Sequence, residues 1–166
     1  MKTSSNGIAL IKQLEGFSST AYWDVDGYSI GYGHHGARAG QTVTRDQAEQ
    51  LLAADLAVFE QAVSQTNPSL SQNQFDAAVS LCYNIGTTRF RKSTVAALIA
   101  ADPSPRPELE QQWKQWRLAG GQVSQALVSR RNKEWELYKK INAAPLLLGV
   151  AAVATLAVTS LMLINF

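Results

Sequence analysis

The chain holds one cysteine, Cys82, among its 166 residues, so it has no internal disulfide. Cys82 stands in the apolar helical run Ala77-Ala78-Val79-Ser80-Leu81-Cys82-Tyr83. Burial as a small hydrophobe is expected there, because a catalytic thiol needs a basic, accessible setting. Histidine is also scarce. His34 and His35 are adjacent, and neighbours on an extended strand point to opposite faces. With no Cys or acidic ligand set beside them, no metal site and no cofactor are expected. The net charge of +2, from 15 Lys+Arg against 13 Asp+Glu, is too small to argue for nucleic acid. The N-terminus, Met1-Lys2-Thr3-Ser4-Ser5-Asn6, has no long apolar run and is not expected to be a secretory signal.

Charge is missing altogether from Ile141 to Phe166. As a helix, residues 145–164 would rise about 30 Å, the thickness of a bilayer's hydrocarbon core. The sequence therefore predicts two units, a domain over residues 1–142 and a single-pass transmembrane helix over residues 143–166. The expected partner of the tail is a lipid bilayer. The basic boundary residues Lys139 and Lys140, with Arg130, Arg131 and Lys133, would hold the N-terminal domain on the cytoplasmic side.

The first 140 residues read as mostly helical. Ser4 or Ser5 caps a first helix whose stripe is Ile8, Leu10, Ile11 and Leu14; Gly16 ends it and leaves Glu15 in its last turn. Residues 21–33 are rich in aromatic and β-branched side chains, and Asp26-Gly27 is a turn signal, so a short antiparallel hairpin is predicted. Thr44-x-x-Gln47 and Ser71-x-x-Gln74 are capping-box signals for two further helices, the second stopped by Gly86. Ser93 caps a helix to Ala101, and the proline-rich segment 102–107 is a loop. Helices follow over 108–116 and 124–140, parted by Gly120-Gly121. Trp113, Trp116 and Trp135 fall at helical spacings and read as core. The fold class is α+β with one small N-terminal sheet.

Glu15 at a helix end and Asp24 in the next element could flank a cleft, as the paired carboxylates of glycoside hydrolysis do. Spacing alone leaves ordinary surface carboxylates open. The wider pattern says more. Glu15-Gly-Phe-x-x-x-Ala-Tyr-x-Asp24 and Gly27-x-x-Ile-Gly-Tyr-Gly-His34 resemble the phage-type lysozymes, the endolysins of glycoside hydrolase family 24. The resemblance continues through residues 74–86 with Phe90 and Ser93-Thr94, then Trp113-x-x-Trp116-x-x-Ala-Gly-Gly121 and Leu127-Val-x-Arg-Arg-x-x-Glu134. The four segments occur in order between about residues 5 and 140.

The resemblance implies a bilobed, lysozyme-like fold with a cleft for the glycan strands of peptidoglycan. It also implies roles. Glu15 would be the general acid on the bond between N-acetylmuramic acid and N-acetylglucosamine, and Asp24 would position or activate water. Ser29 would replace the family's threonine hydroxyl that holds this water, although only four residues separate it from Asp24 where the family has five. Tyr32 and Asn84 would contact sugar, Arg130 would pair with the acid, and His34 would be structural. Asp26 is a second acid in the same turn. The shortened spacing leaves two alternatives open: a lytic transglycosylase that needs Glu15 alone, and a non-catalytic peptidoglycan-binding protein on the same scaffold. With the resemblance, the anchor would make the enzyme a membrane-held viral protein for entry or host lysis, in a virion membrane or a host inner membrane with virion membrane or capsid proteins beside it.

Overall fold

The computed structural model describes residues 1–140. Their element order is α1 (Ser5–Glu15), β1 (Ser18–Asp24), β2 (Gly27–Gly31), β3 (His34–Ala37), α2 (Arg45–Thr66), α3 (Gln72–Ile85), α4 (Thr87–Arg91), α5 (Thr94–Ala101), α6 (Pro107–Lys114), β4 (Leu118–Ala119), β5 (Gln122–Val123) and α7 (Gln125–Tyr138). Among the described residues no helix is long and apolar enough to cross a membrane. The spanning helix predicted over 143–166 lies outside the described residues. For the described residues the fold class is corrected to α+β with no membrane-spanning helix among them, and the membrane location and bilayer partner inferred from that helix are withdrawn with it.

Local chemistry explains the helix boundaries. Ser4 caps α1 through a bond from the Gly7 amide, and Gly16 at φ 73° turns the chain out of it. Thr44 and Ser71 each close a reciprocal capping box, with Gln47 and Gln74. Ser93 caps α5 and Ser124 caps α7. Helix α4, unforeseen in the sequence, is five residues with no side-chain cap. It is too short for a periodic signal.

The predicted hairpin is larger than expected. Strands β1, β2 and β3 form an antiparallel sheet in that order, with Val25 and Asp26 as the first turn. Strand β3, His-His-Gly-Ala, has no apolar alternation that could announce it. A second, minimal hairpin, β4–β5, forms around Gly120 and Gly121, where the sequence predicts only a helix break. Gly31 closes the sheet onto α2: a Cβ there would stand 2.9 Å from that of Ala48, and its φ is 67°.

The core gathers around α3, which is buried along most of its length from Phe75 to Cys82. Helices α1, α2, α4 and α7 pack on it. Trp113, Trp135 and Tyr138 add an aromatic cluster, with Trp135 and Tyr138 stacked at 5.3 Å. Trp116 is only partly buried. Burial pushes the Cys82 thiol up to about 12, which leaves it protonated and inert at neutral pH.

The N-terminus is tied to α2 by Glu60. Burial opposes ionisation of Glu60, but donations from Lys2 Nζ and from the Thr3 amide and hydroxyl hold its carboxyl below the ordinary 4.5. A lowered folded value gives stability that is present above pH 4.5 and is lost as the pH falls through the folded value. Glu60→Gln is expected to cost about 1–2 kcal/mol at neutral pH. It is also expected to flatten the acid limb of a pH-dependent denaturation series; equal slopes in both proteins would contradict this.

Candidate active site

A cleft of about 520 Å³ is lined by Glu15, Tyr22, Asp24, Gly33, His35, Asp55, Phe59, Tyr83 and Asn84, among others. Five elements meet there: the end of α1, the sheet, the loop after β2, α2 and α3. Glu15 is the last residue of α1, and its side chain is 20% exposed. Arg130 of α7 donates through Nη1 to Glu15 Oε1 at 2.7 Å. The other oxygen, Oε2, faces Gly33, where an added Cβ would lie 3.8 Å away. Gly33 has φ 93°, so the chain passes close to the acid by a path that a side chain would strain.

Arg130 is 5% exposed and is held on three sides. Its Nε donates to Glu134 Oε1 at 3.1 Å and its Nη2 to the Ser80 carbonyl at 3.2 Å, leaving Nη1 aimed at Glu15. Glu134 is fully buried. It also accepts from Ser80 Oγ at 2.8 Å, Trp113 Nε1 at 3.1 Å and Arg131 Nη2 at 2.9 Å. Arg131 Nε lies 2.9 Å from Glu134 Oε2 but out of line for a hydrogen bond. Burial pushes the Arg131 guanidinium below its ordinary range, and Glu134 pulls the other way. The sequence showed Glu134 only as part of a signature. Its i+4 and i+3 spacing from the two arginines was the available signal.

Asp24 ends β1 on the cleft side. Its Oδ1 accepts from the Val25 amide at 2.9 Å, and its Oδ2 lies 3.9 Å from His35 Nε2. Ser29 is fully buried, with Oγ 3.3 Å from His35 Nδ1. Tyr32 is not brought to the cleft. Its ring is 4% exposed and packs on Phe17, while its carbonyl accepts from Tyr83 Oη at 3.0 Å. Asn84 is exposed in the cleft, its Oδ1 fixed by Arg131 Nη2 at 3.0 Å. His34 turns to α2, where its Nδ1 meets Asp55 Oδ2 at 2.9 Å. Asp26, in the turn, is not among the residues that line the cleft.

Sequence reasoning missed His35, Asp55, Tyr22 and Tyr83 as cleft residues. Burial, with the nearby Glu15 and Asp55 charges, raises the Tyr83 hydroxyl well above its ordinary value and keeps it a donor. Burial and the Asp24 charge raise Tyr22 in the same direction. Among the described residues no cluster of His, Cys, Asp and Glu suits a metal ion. The arrangement can donate a proton from one wall of the cleft while a carboxylate waits on another.

Glu134→Gln is expected to lower the unfolding free energy by about 3–5 kcal/mol, because it leaves two buried guanidinium groups short of their counter-charge. Chemical denaturation of the full chain checks this. A loss below about 1 kcal/mol would mean that the cluster carries little of the fold.

The family model for phage lysozyme matches residues 12–134. The endolysin of Bacillus phage PZA is 38% identical over 144 residues, a match covering 83% of this chain and 55% of that protein. The endolysin of Lactococcus phage c2 is 39% identical over 145 residues, covering 84% of this chain and 61% of that protein. The chain thus spans a little over half the length of these relatives. Among solved structures, the muramidase domain of SpmX from Asticaccaulis excentricus superposes with a TM-score of 0.77 at 37% identity, covering 84% of this chain and 99% of that one. A mutant P22 lysozyme gives 0.74 at 34% identity, with 84% and 99% covered. The α+β arrangement of residues 1–140 is accordingly lysozyme-like, and the chain belongs to the phage lysozyme family.

Proposed function

We propose that this chain is a muramidase, a glycoside hydrolase that cleaves the β-1,4 bond between N-acetylmuramic acid and N-acetylglucosamine in peptidoglycan glycan strands. The observation that carries the reading is the setting of Glu15: a carboxyl at a helix end, largely shielded, gripped on one oxygen by Arg130 and sharing a cleft with Asp24. A general acid must reach the leaving oxygen from a fixed position. The grip on Oε1 fixes the side chain and leaves Oε2 toward the cleft to carry the proton.

Glu15 protonates the glycosidic oxygen as the bond to the anomeric carbon breaks. Asp24, from the sheet, positions or activates the water that completes the hydrolysis. The amide of Asn84 and the aromatic wall of Tyr22 and Phe59 offer the polar and apolar contacts a sugar ring uses. The proton inventory closes on the chain's own carboxylates, without a cofactor. The names of its relatives, endolysins of phages, support a lytic role on a bacterial wall.

One observation favours a second reading. Ser29 is fully buried, so its hydroxyl does not open into the cleft to hold a water. A transglycosylase that closes an anhydro sugar would need Glu15 but neither Ser29 nor Asp24.

Mass spectrometry of muropeptides released from purified peptidoglycan separates these readings. The full chain is expected to yield reducing-end muramic acid, and Glu15→Gln to lose about 10²- to 10⁴-fold in rate. Anhydro-muramic products would assign the chain to the transglycosylases. No release by the folded wild-type chain would overturn both.

A further inference from the structure

The register of the N-terminal sheet sets three side chains in one row. Tyr22 of β1 pairs with Ser29 of β2, and Ser29 pairs with His35 of β3. Residues directly opposite each other share a face, and a strand returns to that face every second residue. Asp24 therefore emerges on the same side as Tyr22. Tyr22, Asp24 and His35 all line the cleft.

Within this row the His35 ring stands between a hydroxyl and a carboxylate. Its Nδ1 is 3.3 Å from Ser29 Oγ, and its Nε2 is 3.9 Å from Asp24 Oδ2. Ser29 has no exposure, while the side chains of His35 and Asp24 are 61% and 42% exposed. Ser29 thus reaches the cleft only through the imidazole. The other Asp24 oxygen is already engaged by the Val25 amide, so Oδ2 is the one turned to the histidine.

A carboxylate only accepts hydrogen bonds, so Nε2 faces it favourably when it carries the proton. In the neutral ring Nδ1 is then the acceptor, and the Ser29 hydroxyl donates to it. The gap to Asp24 is about 1 Å beyond a hydrogen bond, and a bridging water or a small side-chain rotation closes it. His34 takes no part, being turned to Asp55. The titratable groups that share the cleft with His35 are Asp24 and Tyr22 of β1, Glu15 of α1, Asp55 of α2 and Tyr83 of α3.

We propose that His35 is a positioning residue for the water side of the cleft: clamped in one tautomer by Ser29, it orients the Asp24 carboxylate for its work opposite Glu15. The proposal rests on the muramidase reading for the use it assigns to Asp24. It gives the Ser29 hydroxyl a different task from holding the water itself.

Two measurements on the full chain test it. Imidazole nitrogen chemical shifts read the His35 tautomer and need no activity. At a pH where the ring is neutral, the wild type is expected to be mainly protonated at Nε2, and Ser29→Ala to mix the two forms. Asp24→Asn, at an exposed position, is expected to weaken the same bias and serves if Ser29→Ala does not fold. A mixed population in the wild type, or one that neither variant changes, overturns the clamp. Steady-state digestion of peptidoglycan then tests the use of the clamp. His35→Ala is expected to lower kcat about 10- to 100-fold, with KM within about twofold. His35→Gln should recover part of the loss, and His35→Ala with Asp24→Asn should be no slower than Asp24→Asn alone. Wild-type kcat in His35→Ala, or losses that multiply in the double variant, overturn the positioning role. An inactive wild type would sink the muramidase reading and the role assigned to Asp24 with it, while the tautomer measurement still decides the clamp.

Discussion

Glu134 places a carboxylate where no solvent reaches it, and such a group is tolerated only when donors surround it. Four side chains supply them: Ser80, Trp113, Arg130 and Arg131. A buried ion cluster of this kind adds little net stability over well-packed apolar residues. Its effect is directional. With Nε and Nη2 of Arg130 engaged, the remaining Nη1 has one orientation, and that orientation meets Glu15. Arg131 extends the order to Asn84 on the neighbouring wall. The positions of two cleft residues thus descend from one carboxylate on α7.

The sheet supplies the other half of the cleft by a different device, strand register. Pairing of Tyr22 with Ser29 and of Ser29 with His35 decides which side chains face α2 and α3. A slip of one residue would send His35 away from the cleft and His34 into it. Irregularities in both strand pairings lie close to this row. From Tyr22 to Asp24 the pairing with β2 is regular, so Asp24 and Ser29 keep fixed places across the turn.

How much of this was legible in the sequence follows from the range of each interaction. Helix caps are local, so Thr44, Ser71 and Ser93 announced their helices, and the first was announced by Ser4 or Ser5, of which Ser4 is the cap. Glu15 was legible because Gly16 marks the end of α1 and the flanking residues resemble a known family. Arg130 is buried, and nothing local predicted its three-way grip. The resemblance alone offers Tyr32 as a sugar contact, and its ring packs in the core beside Phe17. Strand β3 and the role of His35 depend on pairing partners that periodicity does not encode. The membrane span over 143–166 rests on composition alone, and composition states what a segment tolerates, not what it does.

The bond between Arg130 and Glu15 joins residues 115 positions apart in the chain. One partner emerges from the ribosome well before the other. Until α7 has been made and has docked, the acid has no arginine to fix it, and Arg130 has no Glu134 to aim it. A partly synthesised or C-terminally clipped chain therefore carries every residue of the N-terminal sheet and still lacks an aligned acid. On the proposed muramidase reading, docking of α7 is the step that completes the site, and a chain without α7 lacks an aligned acid to cut with.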